Sequence, residues 1–150
     1  MRLFILAGLL LFLVSCLSSP ARAEGADYSR LIRQIAKPDR DTDPGENWEI
    51  LRWDTDPRVE AALRAGLKDV SPEVRAYCFR LLVERRVPDA LALAQAALRD
   101  TAPVVWDETL YALRQNLDLT AFDWLVSLLR DPREGVRRSA AITLGVYGHT

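Results

Sequence analysis

The chain has 150 residues, 49% hydrophobic and 27% charged, a globular composition that excludes a disordered or low-complexity protein. Twenty basic residues stand against 21 acidic ones, a net charge of −1, so no basic excess argues for nucleic acid. One histidine and two cysteines leave almost no material for a zinc site, a catalytic triad or a disulfide framework.

The amino-terminal segment reads as an export signal. Met1-Arg2 gives a positive start, and Leu3 to Val14 is an uninterrupted apolar run. As a helix that run rises only ~18 Å against a bilayer core of ~30 Å, which suits a signal peptide better than a transmembrane anchor. Two cuts compete. Ala21-Arg22-Ala23 would end a signal peptide of residues 1–23 and release residues 24–150 as a soluble domain. Leu13-Val14-Ser15-Cys16 resembles the bacterial lipobox, which would make Cys16 a lipidated first residue and is the one route to a membrane. Either form is expected outside the cytoplasm, periplasmic and soluble or lipid-anchored. Loss of residues 1–23 leaves 18 basic against 21 acidic residues, about −3, and Cys78 with no disulfide partner.

Tyr28 to Lys37 is expected as a lone helix, followed by a polar loop from Pro38 to Asn47. Asp39, Asp41 and Asp43, with Gly45, Glu46 and Glu49 behind them, sketch half of a calcium loop. The EF-hand spacing needs glycine sixth and glutamate twelfth, where Pro44 and Ile50 stand. A solvated loop capping the next helix is expected instead, with weak calcium binding as the alternative.

The rest of the chain repeats every 31 residues. Leu67-Lys68-Asp69, Leu98-Arg99-Asp100 and Leu129-Arg130-Asp131 recur at that spacing. Leu51, Leu82, Leu113 and Leu144 form one column, Val74, Val105 and Val136 a second, and Ile32, Leu63, Ala94 and Leu125 a third. Each unit reads as two helices. Val74, Cys78, Leu81 and Leu82 make the apolar face of the first, with Ser71-Pro72 as N-cap and first-turn proline. The second runs from Asp89 to Leu98, with Asp89 and Thr120 as N-caps and Pro57 and Pro88 at the turn between helices. The columns predict three helix pairs and then a lone first-type helix from Pro132 to Tyr147. Such pairs bury their apolar faces only by stacking, so the expected fold is all-α, a short α-solenoid of antiparallel helix pairs.

Leu129-Arg130-Asp131-Pro132, followed by Val136-Arg137-Arg138-Ser139-Ala140-Ala141 and Leu144-Gly145, resembles bacterial HEAT-like repeats, and Asp69 to Leu82 is similar. The resemblance covers roughly residues 27–148 and implies scaffolding, though phycobilin lyase subunits are among its relatives. It also implies that an aspartate at the turn and an arginine on the first helix link successive units. Asp69 with Arg75, and Asp131 with Arg137, match; the middle unit keeps Asp100 but has Trp106 in the arginine place.

Trp106, which breaks that pattern with Tyr111 nearby, is a candidate binding anchor, or a filler of space between units. The last helix carries Val136, Ala140, Ala141, Leu144 and Val146 with nothing beyond to cover them, so docking on another protein or a second copy is expected there. Trp106, Tyr111, Val136 and Leu144 are thus the candidate contact residues. Cys78 shares a column with Thr109 and Ala140 and reads as packing. His149 lies where chains fray. The basic column Lys37, Lys68, Arg99 and Arg130 suits helix C-termini rather than an anion stripe. No catalytic residue, metal or cofactor is expected. The expected function is an extracytoplasmic, non-catalytic protein-binding scaffold or assembly module. An enzyme subunit resembling the lyases, or a calcium-stabilised structural protein, is the alternative.

Overall fold

The computed structural model describes residues 27–116 and 121–147, so the expected export signal with Cys16, the expected cap Thr120 and His149 lie outside the described residues. The described chain is eight α-helices without a strand: α1 (Tyr28–Ala36), α2 (Pro44–Trp53), α3 (Pro57–Gly66), α4 (Pro72–Glu84), α5 (Ala90–Ala97), α6 (Pro103–Gln115), α7 (Phe122–Leu128) and α8 (Glu134–Tyr147). That order is a lone second-type helix, three pairs and a closing first-type helix, as the columns predict.

Proline and a side-chain oxygen start several of these helices. Asp43 Oδ1 accepts from Gly45 N at 2.8 Å, Asp56 Oδ1 from Arg58 N at 2.8 Å and Ser71 Oγ from Val74 N at 3.4 Å, each beside a proline in the first turn. This satisfies amide donors that a helix start leaves open. Because Asp43 and Pro44 already start α2, the expected loop to Asn47 ends earlier, and Asn47 is a buried residue inside the helix. Asp89 also departs from expectation. It occupies the N-cap position of α5 but makes no capping bond. Its carboxylate is taken instead by Arg64 of α3, at 2.8 and 2.9 Å.

The repeat columns point inward. Leu51, Leu82, Val105, Val136, Leu63 and Leu125 are all fully buried or nearly so. One apolar cluster gathers α1 to α4 around Ile32, Leu51 and Leu63, and another gathers α4 to α8 around Leu110, Leu125 and Val136. Ala76, Phe79, Ala97 and Val105 join the units between them. Stacking is therefore what buries each pair. The first-type helices α4, α6 and α8 lie side by side, and that layer carries the features described next.

Candidate functional site

The link between units is built by arginine. On α4, Arg75 Nη1 donates to the carbonyls of Asp69 and Val70 at 2.8 and 3.2 Å, while Nε and Nη2 take both oxygens of Asp100 in the next turn at 2.8 and 3.0 Å. A bidentate pair of this kind is among the stronger polar contacts a protein makes. The Arg75 guanidinium holds the Asp100 carboxyl below the usual carboxylate range.

In the middle unit Trp106 stands in the place of that arginine, and Arg133 from the following turn takes over its work. Arg133 binds Asp131 through Nε and Nη2, both at 2.9 Å, and donates from Nη1 to the carbonyl of Leu98 at 2.7 Å. Its guanidinium lies 5.9 Å from the centre of the Trp106 ring. The indole fits because residue 135 is glycine: a Cβ there would lie 2.5 Å from Trp106 Cη2. Trp106 is 8% exposed and Val136 0%, so neither offers a surface to a partner, and the expectation of both as contact residues is corrected. Their apolar area is spent on packing between units. Leu144 is half-buried against the same cluster.

Of the four candidates, Tyr111 alone takes part in an open polar feature. Across α2, α4 and α6, Arg80 lies 4.5 Å from the Trp48 ring centre and 4.6 Å from that of Tyr111, and Arg114 covers Tyr111 at 4.9 Å. Tyr77 meets Trp48 edge-on at 5.7 Å. Cations over aromatic faces attract through the ring quadrupole. Arg80 is held in place by Glu84 at 2.8 Å and Glu108 at 2.9 Å. Burial works against the Arg80 charge, but the two carboxylates hold its pKa above the ordinary arginine value. Arg52 also approaches Glu84, at 3.6 Å.

This row runs into a groove of about 250 Å³ between α6 and α8, lined by Asp107, Glu108, Tyr111, Arg114, Ile142 and Thr143 among others. Ser139 of α8 closes it by donating to Asp107 at 2.8 Å. Reading residues one at a time singled out Tyr111 but missed Trp48, Arg80 and Glu108. The available signal was that Arg80 and Tyr111 share a repeat column, which places a cation beside an aromatic on adjacent helices.

The other candidates resolve into structure. Cys78 is fully buried, and burial, with a smaller push from Asp69, raises its thiol to about 12, far from a reactive thiolate. Asp43 caps α2, and Asp39 accepts from Thr42 in its own loop and from Gln34 of α1. Among the described residues no group of three or more His, Cys, Asp or Glu is placed to hold a metal ion. Lys37, Lys68, Arg99 and Arg130 are all exposed at helix ends.

A family model described as HEAT repeats matches residues 60–145. Among solved structures, that of human deoxyhypusine hydroxylase in complex with glycerol is similar, at 25% identity and a TM-score of 0.58. The likeness covers 85% of this chain and 46% of that one, so the chain spans less than half the length of the enzyme. No curated protein matches the sequence. The likeness to the hydroxylase overturns the expectation of a non-catalytic chain, because the same helical layout there carries an enzyme.

Proposed function

The chain belongs to the HEAT-repeat family, and we propose that it is an extracytoplasmic scaffold that holds another protein along the groove between α6 and α8. The row of Trp48, Arg80, Tyr111 and Arg114 carries this reading. Aromatic residues and arginine dominate the energetics of protein interfaces. Here Arg80 is fixed in advance by Glu84 and Glu108, so a partner ordering against it meets a side chain with less freedom left to lose. The placement outside the cytoplasm rests on Met1 to Val14 and the two competing cuts, after Ala23 or before Cys16.

Photo-crosslinking from Tyr111 in intact cells, with fractionation and mass determination of the processed chain, tests the reading. It predicts one extracytoplasmic partner, its capture lost in Arg114→Glu, and a chain cut at one of the two sites. An unprocessed chain in the cytoplasm refutes the location, and no capture from Tyr111 refutes the groove. A second reading, supported by the likeness to the hydroxylase, makes the chain a subunit of an enzyme. Turnover that requires this chain, in a complex purified through it, would favour that reading.

A further inference from the structure

The groove between α6 and α8 owes its opening to a change in the repeat columns. One unit earlier, the seam between α4 and α6 is spanned by Arg80, which binds Glu108 at 2.9 Å and lies against the Tyr111 ring. At the next seam Tyr111 takes the place of Arg80, Ser139 that of Glu108 and Ile142 that of Tyr111. No long ion pair is left to fill it. Among the described residues, the side-chain hydrogen bonds that cross this seam are short hydroxyl ones, Ser139 to Asp107 at 2.8 Å and Thr143 to the Leu110 carbonyl at 3.4 Å. Both walls are described helices of this chain, so the groove is bounded on each side by packed structure.

The two ends of the groove carry opposite charges, and both depart from the columns. Asp107 stands where α4 has Ala76, and Arg114 where α4 has Val83; the alanine is 0% exposed and the valine 3%. Asp107 is exposed, and Ser139 occupies its Oδ1. Arg114 is half-buried with its guanidinium over the Tyr111 ring. Stacking of that kind leaves the edge of the guanidinium, where its N–H donors lie, open to a carboxylate. Neither residue has an ion-pair partner among the described residues, whereas Arg80 and Glu108 are spent on each other. Between the charges lie Tyr111 and Ile142. At about 250 Å³ the groove exceeds the ~150 Å³ cavity that accepts a benzene ring, so one large apolar side chain has room.

We propose that this groove takes a segment of a partner protein that presents a basic side chain to Asp107, a carboxylate to Arg114 and an apolar side chain between them, against Tyr111 and Ile142. Such recognition rests on the groove being the contact surface proposed above, and it fixes the direction in which the segment lies. Residues 107 and 114 stand roughly 10 Å apart along α6, so a segment with opposite charges at that spacing is attracted in one direction and repelled in the other.

The test places a photo-crosslinker at Ile142, which is 47% exposed on the wall opposite Tyr111, in the full chain in intact cells. Mass spectrometry maps the captured residue. The expected product is a peptide from another protein with a basic and an acidic residue on either side of the captured one. Asp107→Asn, whose amide oxygen still accepts from Ser139, and Arg114→Gln should each lower capture about tenfold. Asp107→Lys combined with Arg114→Glu should abolish it, and exchanging the mapped acid and base in the partner should restore capture by that double variant. Circular dichroism checks folding, and the two neutral variants carry the test should the double reversal unfold. Capture indifferent to the charges at 107 and 114, a captured segment lacking either charge, or capture of the chain itself overturns the proposal and leaves the groove as a contact surface. No capture from Ile142 also overturns it, and loss of capture from Tyr111 as well overturns the groove itself.

Discussion

Gly135→Ala tests whether the middle unit is built around Trp106. The added Cβ would lie 2.5 Å from Trp106 Cη2 and 3.1 Å from Cζ3, against an optimal carbon contact of about 3.5–4.0 Å. The ring must retreat by roughly 1 Å to restore that contact, but it is 8% exposed and packed among Leu98, Leu110, Leu128 and Val136. Overpacking at such a site costs about 1–3 kcal/mol. Replacing glycine by alanine in a helix returns at most about 1 kcal/mol, and less in the first turn, where Gly135 stands. The net effect is a loss of about 1–2 kcal/mol, or roughly 3–8 °C in Tm for a domain of this size. In a Trp106→Leu background the clash disappears, and the same change should be neutral or stabilising by up to about 1 kcal/mol. Urea unfolding followed at 222 nm across the four proteins of the cycle measures the coupling, expected at about 1–3 kcal/mol. Equal effects of Gly135→Ala in both backgrounds would refute the reasoning.

Arg75→Ala should cost about 2 kcal/mol by chemical denaturation, at the modest end for a charged hydrogen bond because the pair is partly exposed. Since Arg75 lowers the Asp100 pKa from its usual value of 3.8, that stability is present above the unfolded value and disappears as pH falls through the depressed one; the acid limb of the stability profile should flatten in the variant. Tyr28 is pushed up to about 12 by burial and then by its bond to Asp54, so the folded chain keeps a proton that the unfolded chain releases, and stability falls between pH 10 and 12. Tyr28→Phe should remove that share of the alkaline slope. Arg86, at φ 55° between α4 and α5, is in the left-handed region; Arg86→Gly should raise stability by about 0.5–1 kcal/mol in the same denaturation assay. At pH 8, iodoacetamide should label Cys78 only under unfolding conditions, and rapid labelling of the native chain would contradict its burial.

The fold was legible because a 31-residue period writes each buried position several times. Leu51, Leu82 and Leu113 each mark a core contact alone, and together they mark a stack. The helix starts were legible for a local reason, since Asp43-Pro44, Asp56-Pro57 and Ser71-Pro72 carry cap and first-turn residue in adjacent positions. Asp89, between Pro88 and Ala90, also stands in a capping position, but Arg64 competes for its carboxylate from another helix, and a bidentate guanidinium outweighs one amide. Local reading cannot weigh that competition, because the competitor is 25 residues away.

Trp106 shows the limit from the other direction. Judged within its column it is an intruder in an arginine place, and an exposed aromatic anchor is the natural inference. Its meaning depends on two residues in other columns, Gly135, which leaves room for the ring, and Arg133, which supplies the missing link to Asp131 and Leu98. The three form one local solution: an arginine moved to the following turn frees a buried place for an indole, and a glycine accepts the indole's width. The proposed binding surface is then made of residues the substitution leaves outside the core. Tyr111 is one of them, and it works through Arg80 on the neighbouring helix rather than through Trp106 five residues before it. In a stacked repeat the neighbours that decide a side chain's role lie about one period away, so a functional face is read across units and seldom along one helix.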